Sequence, residues 1–298
     1  MDLNQDVFLE IVLKNNLSLS DIKNLCHSNK HYYNICKNFM PFIFKKMVKF
    51  YDLRNCLDFL KSPSLLNLPK STILNNQDIN ENTTDYNLLK YFFENIFYKT
   101  VVICEGLELK KIPYLPNVVN LNCRDNELNT LPILDNLVIL NCNDNYEITL
   151  PKFPKLLELN YQFNKNILPN LPKLKILKCT GSNFSELPNY PELNTLVCSR
   201  NKLTKLPCFQ NLTYLDCTSN LLTSIPKMNN LNVLYCSNNL LTSIPELPDL
   251  KVLYCVHNRI TELPILPELT NLYFNFGRNF VLKNYPKLTK LNGRLLKK

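Results

Sequence analysis

Leu212-Thr-Tyr-Leu215-Asp-Cys217-Thr-Ser-Asn220-Leu-Leu222-Thr-Ser-Ile225-Pro226 is followed nineteen residues on by Leu231-Asn-Val-Leu234-Tyr-Cys236-Ser-Asn-Asn239-Leu-Leu241-Thr-Ser-Ile244-Pro245. The same phrase extends in both directions. Its marker cysteines are Cys104, Cys123, Cys142, Cys179, Cys198, Cys217, Cys236 and Cys255, with Tyr161 and Phe274 standing where a cysteine is missing. Every step is nineteen residues except Tyr161 to Cys179, which is one shorter. The segment L-x-x-L-x-C alternates apolar and polar positions, so it predicts a short strand whose second Leu and Cys point inward. A turn this small cannot bury its apolar side alone, and the units must stack with their strands parallel.

The pattern L-x-x-L-x-C-x-x-N-x-L-x-x-L-P resembles a leucine-rich repeat, with a period just under the usual 20 to 29 or so residues. The return path of each unit is too short for a helix. It carries proline at Pro113, Pro132, Pro151, Pro169, Pro188, Pro207, Pro226, Pro245 and Pro264, often with a second at Pro116, Pro154, Pro172, Pro191, Pro248 or Pro267. Proline fixes φ and donates no hydrogen bond, so the convex side is expected to be extended and polyproline-like. An Asn column (Asn126, Asn145, Asn164, Asn201, Asn220, Asn239, Asn258) leads the chain out of each strand, and a buried amide there must bond backbone groups of its own and the adjacent turn. Ser182 replaces Asn in the unit beside the short step, where an irregularity is expected. Leu107 replaces it in the first unit, and Leu288, Leu291 and Gly293 begin a last unit that stops at Lys298, leaving that end poorly capped.

Ahead of the array the periodicity turns helical. Leu3, Val7 and Ile11 share one face, Leu17 follows, and Ser20-Asp21 opens a second helix carrying Ile22, Leu25 and Cys26. These residues, with Lys30, Tyr32 and Tyr33, resemble the F-box, the helical motif that docks proteins onto the Skp-type adaptor of cullin ubiquitin ligases. The resemblance covers about 35 residues, and the whole chain resembles the F-box/leucine-rich repeat proteins encoded by giant DNA viruses of amoebae. It implies adaptor contacts through Leu3, Val7, Ile11, Leu17 and Ile22, and a host Skp-type adaptor and cullin ligase as partners. Read without the resemblance, the same residues make a small helical cap over the first repeat. The expected fold class is therefore an α/β repeat: a leucine-rich solenoid over 101–298, a linker and helical cap over 51–100, and an α-helical F-box-like domain over 1–50. Within the linker, 61–85 reads as a polar loop and 86–98 as a helix plugging the open end.

Twelve cysteines would imply disulfides in a secreted protein, but most fall in one inward-facing column, as small buried hydrophobes do in a reducing compartment. A cytosolic protein is expected, in the host cytoplasm if viral: the acidic start Met-Asp-Leu-Asn-Gln-Asp lacks a basic signal region, and no apolar run reaches membrane-spanning length. A metal stack on the cysteines would need tetrahedral convergence rather than a straight column. His27 and His31 have the spacing of a metal pair on a helix, yet no third ligand stands near them, and ordinary helix residues are the alternative. The net charge of +9 is spread along the chain and permits attraction to anionic surfaces, with no nucleic-acid reading motif to focus it.

No phosphate loop, nucleophile elbow, kinase set or zinc-protease motif occurs, and with four glycines a phosphate cradle is hard to build. Neither an enzyme nor a cofactor is expected, so function should lie in surfaces. Early outward positions are polar: Asn120, Asn122, Arg124, Asp125, Asn141, Asp144 and Asn160. Later units present Tyr214, then Tyr235, Tyr254 and Tyr273 at one equivalent position on three successive strands, flanked by His257, Arg259, Phe276 and Arg278. Tyr and Arg dominate interface energetics, so these eight form the candidate target-binding set for an unknown protein. The alternative is that an aromatic ladder simply stabilises parallel strands.

Overall fold

The computed structural model describes residues 99–163, 167–275 and 284–296. Leucine repetition at strand spacing produces one sheet whose strands follow chain order: β1 (Val101–Ile103), β2 (Asn120–Asn122), β3 (Ile139–Asn141), β4 (Glu158–Asn160), β5 (Ile176–Lys178), β6 (Thr195–Val197), β7 (Tyr214–Asp216), β8 (Val233–Tyr235), β9 (Val252–Tyr254), β10 (Asn271–Tyr273), β11 (Lys290–Leu291) and β12 (Arg294–Leu295). Neighbours from β1 to β11 are parallel. In β2 to β10 the middle Leu is buried and its two neighbours are half-exposed. The faces therefore divide as alternation dictates. Leu215, Leu234 and Leu253 stack inward, and Cys217, Cys236 and Cys255 form the next buried column.

The Asn column works as its chemistry requires. Asn126 Nδ2 donates to the carbonyls of Cys104, Cys123 and Arg124, while its Oδ1 accepts from the amides of Leu107 and Leu109. Each such amide thus joins its own turn to the one before. No buried side-chain nitrogen or oxygen among the described residues lacks a partner.

The short step is absorbed in the return rather than in the sheet, because Glu158 still pairs with Ile176 in register. Ser182 reproduces part of the Asn role: it is buried, and its hydroxyl donates to the Tyr161 carbonyl at 2.9 Å. Beside it Gly181 has φ +67°, and a Cβ there would lie 2.7 Å from the Phe163 ring. A positive φ recurs at the Gly181 position in each turn from Asp125 to His257, so the irregularity lies in Ser182 itself and in a second positive φ at Asn183 (59°) after it.

Two expectations need correction. The second proline of each return does not continue a polyproline run but occupies the second position of a four-residue turn, as in Leu115-Pro116-Asn117-Val118, where the Val118 amide donates to the Leu115 carbonyl at 3.3 Å. Proline's fixed φ suits that position. Equivalent turns close at Leu134–Leu137, Tyr190–Leu193 and Met228–Leu231, and the first residue of each is buried as the back wall of the core. The far end, expected to be open, is closed by a hairpin: Asn292 (φ 44°) and Gly293 (φ 80°) turn the chain so that β12 lies antiparallel on β11. Asn-Gly is the favoured pair where two successive positive φ values are needed. Asn292 also accepts from the Phe274 amide and donates to its carbonyl, tying the hairpin to the preceding turn.

Among the described residues no α-helix occurs, and none is long and apolar enough to cross a membrane. The F-box-like segment 1–50, the linker, the helix expected over 86–98, the His27/His31 pair, Asn164 and the adaptor set Leu3, Val7, Ile11, Leu17 and Ile22 lie outside the described residues.

Candidate binding face

Outward side chains of the strands form columns across the sheet. At the first strand position run Tyr214, Val233, Val252 and Asn271, and at the third run Asp216, Tyr235, Tyr254 and Tyr273. The register pairs Tyr235 with Tyr254 and Tyr254 with Tyr273, while Tyr214 stands opposite Val233 and meets Tyr235 diagonally. Ring centroids follow at 5.9, 4.7 and 4.0 Å from Tyr214 to Tyr273. The last pair is stacked at 17°; the others are tilted near 50°. Val233 and Val252 fill the neighbouring column, and half-buried Val256 follows Tyr254 on the other side of the ladder, so β7 to β10 carry one continuous aromatic and aliphatic strip.

Burial holds the phenols of Tyr214 and Tyr254 in the neutral, donating form. Burial, then a hydrogen bond with Tyr273, then the neighbouring phenols push Tyr254 up from 10.0 to about 12. Burial, with Tyr235 and Asp216 adding to it, raises Tyr214 as well. The Asp216 carboxylate accepts from the Thr218 amide at 3.0 Å.

The earlier half of the same face is matched within itself. Arg124 lies between Glu105 and Asp144 at 3.6 and 3.1 Å, Lys178 reaches Glu158 at 3.4 Å, and Asn122 donates to Glu105. Ile139 and Ile176 are interrupted by Asn120, Glu158 and Thr195 in their column. Around the later strip the cations are unmatched: among the described residues no salt bridge reaches Lys251, Arg259, Lys290 or Arg294.

Of the eight target-binding candidates, the four tyrosines are brought together, and His257 and Arg259 are exposed on the turn after β9. Phe276 and Arg278 lie outside the described residues. Sequence reasoning missed Val233, Val252, Val256, Lys251 and Lys290; counting one residue back from each inward Leu, or one forward from each inward Cys, would have found the valines. At the hairpin, Gly293 sits so close that a Cβ would be 2.9 Å from the Tyr273 hydroxyl, so the closing turn abuts the end of the ladder.

The eight column thiols are buried and the exposed Cys208 stands apart; all nine are free, and no cluster of three or more potential metal ligands occurs among the described residues. Burial pushes the column thiols up, Cys104 and Cys255 to about 12, which keeps them protonated and unreactive.

Residues 229–267 match the family described as leucine rich repeats (2 copies). The solved structure of YopM from Yersinia pestis, a leucine-rich effector protein, is similar at 27% identity and a TM-score of 0.58, over 66% of this chain and 61% of that one. The chain carries a leucine-rich repeat solenoid. YopM from Yersinia enterocolitica WA-314 is similar at 24% identity and a TM-score of 0.51, over 65% of this chain and 55% of that one. The functional domain of InlJ from Listeria monocytogenes, which includes a cysteine ladder, is similar at 24% identity and a TM-score of 0.46, over 72% of this chain and 62% of that one. The leucine-rich chain thus spans less than two thirds of the length of each of these solved proteins. No curated protein matches it in sequence.

Proposed function

We propose that this leucine-rich repeat protein is a non-catalytic recognition protein that holds a protein target on the open sheet face of its later units. The observation that carries the reading is the continuous strip of Tyr214, Val233, Tyr235, Val252, Tyr254 and Tyr273, an apolar surface in water flanked by cations that make no salt bridge among the described residues. Such a surface marks an interaction site, whereas the earlier units satisfy their own charges. An open face offers no enclosed pocket, which favours a macromolecule over a small ligand. Leucine-rich arrays are usually binding scaffolds, and the likeness to a leucine-rich effector agrees with that.

The finer reading rests on the F-box resemblance of the first 35 or so residues: a receptor that brings the target to a Skp-cullin ubiquitin ligase in the cytoplasm. The eight buried free thiols accord with a reducing compartment. The second reading is a binding scaffold or inhibitor with no ubiquitin role, which the YopM likeness favours.

A photo-reactive amino acid placed at Val256 on the open face, and separately at Lys227 on the return side, tests the first reading in host lysate. Cross-linking to one partner from Val256 alone is expected. Equal labelling from both positions, or labelling from Lys227 alone, contradicts it.

A further inference from the structure

The tyrosine strip limits what can lie on it more sharply than its apolarity does. Because the rings of Tyr235, Tyr254 and Tyr273 lie against one another with centroids 4.7 and 4.0 Å apart, their faces are already occupied. A nucleobase or sugar ring has no free aromatic face to stack on within the ladder, and no gap into which it could slide. What the strip offers instead is ring edges, valine methyls and a row of hydroxyl donors. Donors prevail nearby too: Lys251 just before β9, Lys290 at the first position of β11 opposite Asn271, and Arg259 after β9 carry no ion pair among the described residues, while Asp216 is the single carboxylate on β7 to β10.

The spacing adds a second constraint. A ligand crossing parallel strands meets the same columns about every 4.8 Å. An extended β peptide repeats its side every ~6.7 Å and an α-helix every ~5.4 Å, so both drift against the columns. A polyproline II segment repeats every three residues of ~3.1 Å, about 9.3 Å, close to two strand spacings. Its carbonyls make no internal hydrogen bonds and its prolines lack N–H groups, so it needs a receptor rich in donors and poor in acceptors.

Resting on the open-face reading above, we infer that the strip from Tyr214 to Tyr273 receives a proline-rich, acidic segment of a partner protein in polyproline II conformation, running across strands β7 to β10. Prolines sit on the Val233–Val252 column and between ring edges. Tyrosine hydroxyls donate to the segment's carbonyls. Its flanking carboxylates meet Lys251, Lys290 and Arg259. Four strands accommodate about five residues of such a segment, so the recognised stretch is short.

The test uses the full chain and fluorescein-labelled synthetic peptides read by anisotropy: a proline-rich peptide with glutamates at both ends, a counterpart of equal charge with glycines for prolines, a lysine-ended counterpart, and a thymidine oligonucleotide. The proline-glutamate peptide should bind at least about tenfold more tightly than the glycine and lysine forms, because the first loses preorganisation and the second meets like charge. Tyr254→Ala should weaken it at least about tenfold, Tyr254→Phe less, since it keeps the stack and drops one donor, and Asn141→Ala in the earlier half not at all. Equal binding of proline and glycine peptides, no binding of the proline peptide, or tighter binding of the oligonucleotide would overturn the inference. A concentration-dependent dimer abolished by Tyr254→Ala would assign the strip to a second copy of the chain and overturn it too. If the target cross-linked from Val256 binds through a segment without proline, this inference fails and the open-face reading stands; if Tyr254→Ala spares that target as well, both fail.

Discussion

The side-chain amide of Asn220 donates to the carbonyl of Cys198, 3.0 Å away in the preceding turn, while its oxygen accepts the Leu203 amide at 3.0 Å. A third bond reaches the Cys217 carbonyl of its own turn at 3.0 Å. Removing the side chain leaves buried backbone groups of two turns unpaired. Asn220→Ala should therefore cost roughly 1–3 kcal/mol in urea denaturation. Thr218→Ala, on the open face two residues earlier, should stay within about 0.5 kcal/mol, because only its backbone takes part in these bonds.

The buried thiols make stability depend on alkaline pH. Their folded values lie above the ordinary 9.0, at about 12 for Cys104 and Cys255. Above about pH 9 the unfolded chain sheds thiol protons that the folded chain retains, so stability is complete below that pH and falls as pH rises towards 12. Each thiol contributes about 1.4 kcal/mol per pH unit to the slope. Urea midpoints should be level between about pH 6 and 8 and drop steeply above 9. Cys217→Ala, compared with the parent at each pH, should flatten the slope by one thiol's share.

At the irregular unit, Gly181→Ala should destabilise by about 1–2 kcal/mol. Part of that is the positive φ of 67° and part is contact with the Phe163 ring. Only the second part can be relieved from Phe163. In a double-mutant cycle Phe163→Ala should recover a fraction of the loss and never all of it, as measured by melting temperature and urea midpoint.

The repeat was legible because each of its columns asks for one residue type: Leu for the inward strand position, Cys for a small buried neighbour, Asn for an amide with donors and acceptors on opposite sides. The tyrosine register followed from counting back one residue from each marker cysteine. The second prolines were misread because Leu-Pro recurs in both parts of the return, and only the bond from residue four to residue one, as between Val118 and Leu115, distinguishes a turn from an extended run. Forcing the repeat template onto Leu288, Leu291 and Gly293 hid the Asn292-Gly293 hairpin signal. The valine column escaped notice because an outward valine looks like a strand former until Tyr214 is seen opposite Val233, and Tyr235 and Tyr254 two residues along the same strands.

For the adaptor reading, the expected anchors Leu3, Val7, Ile11, Leu17 and Ile22 give a direct prediction. Apolar anchors at helical spacing dock in grooves, and a charge among them is not tolerated. Val7→Asp should abolish capture of a purified Skp-type adaptor and leave binding of the solenoid's target unchanged. Should the wild-type chain capture no such adaptor, the ligase reading gives way to the scaffold.

Recognition by the tyrosine strip is tested most directly at its centre, by measuring melting temperature and target affinity on the same Tyr254→Ala variant. Losing one ring from the ladder removes one stacked and one tilted ring contact, worth about 1 kcal/mol of folding stability. A central anchor should cost about 2 kcal/mol or more in binding, some thirtyfold in affinity. The account predicts a small shift in melting temperature with that large loss of affinity. A lowered melting temperature with affinity intact would contradict it and leave the ladder as a brace for the sheet.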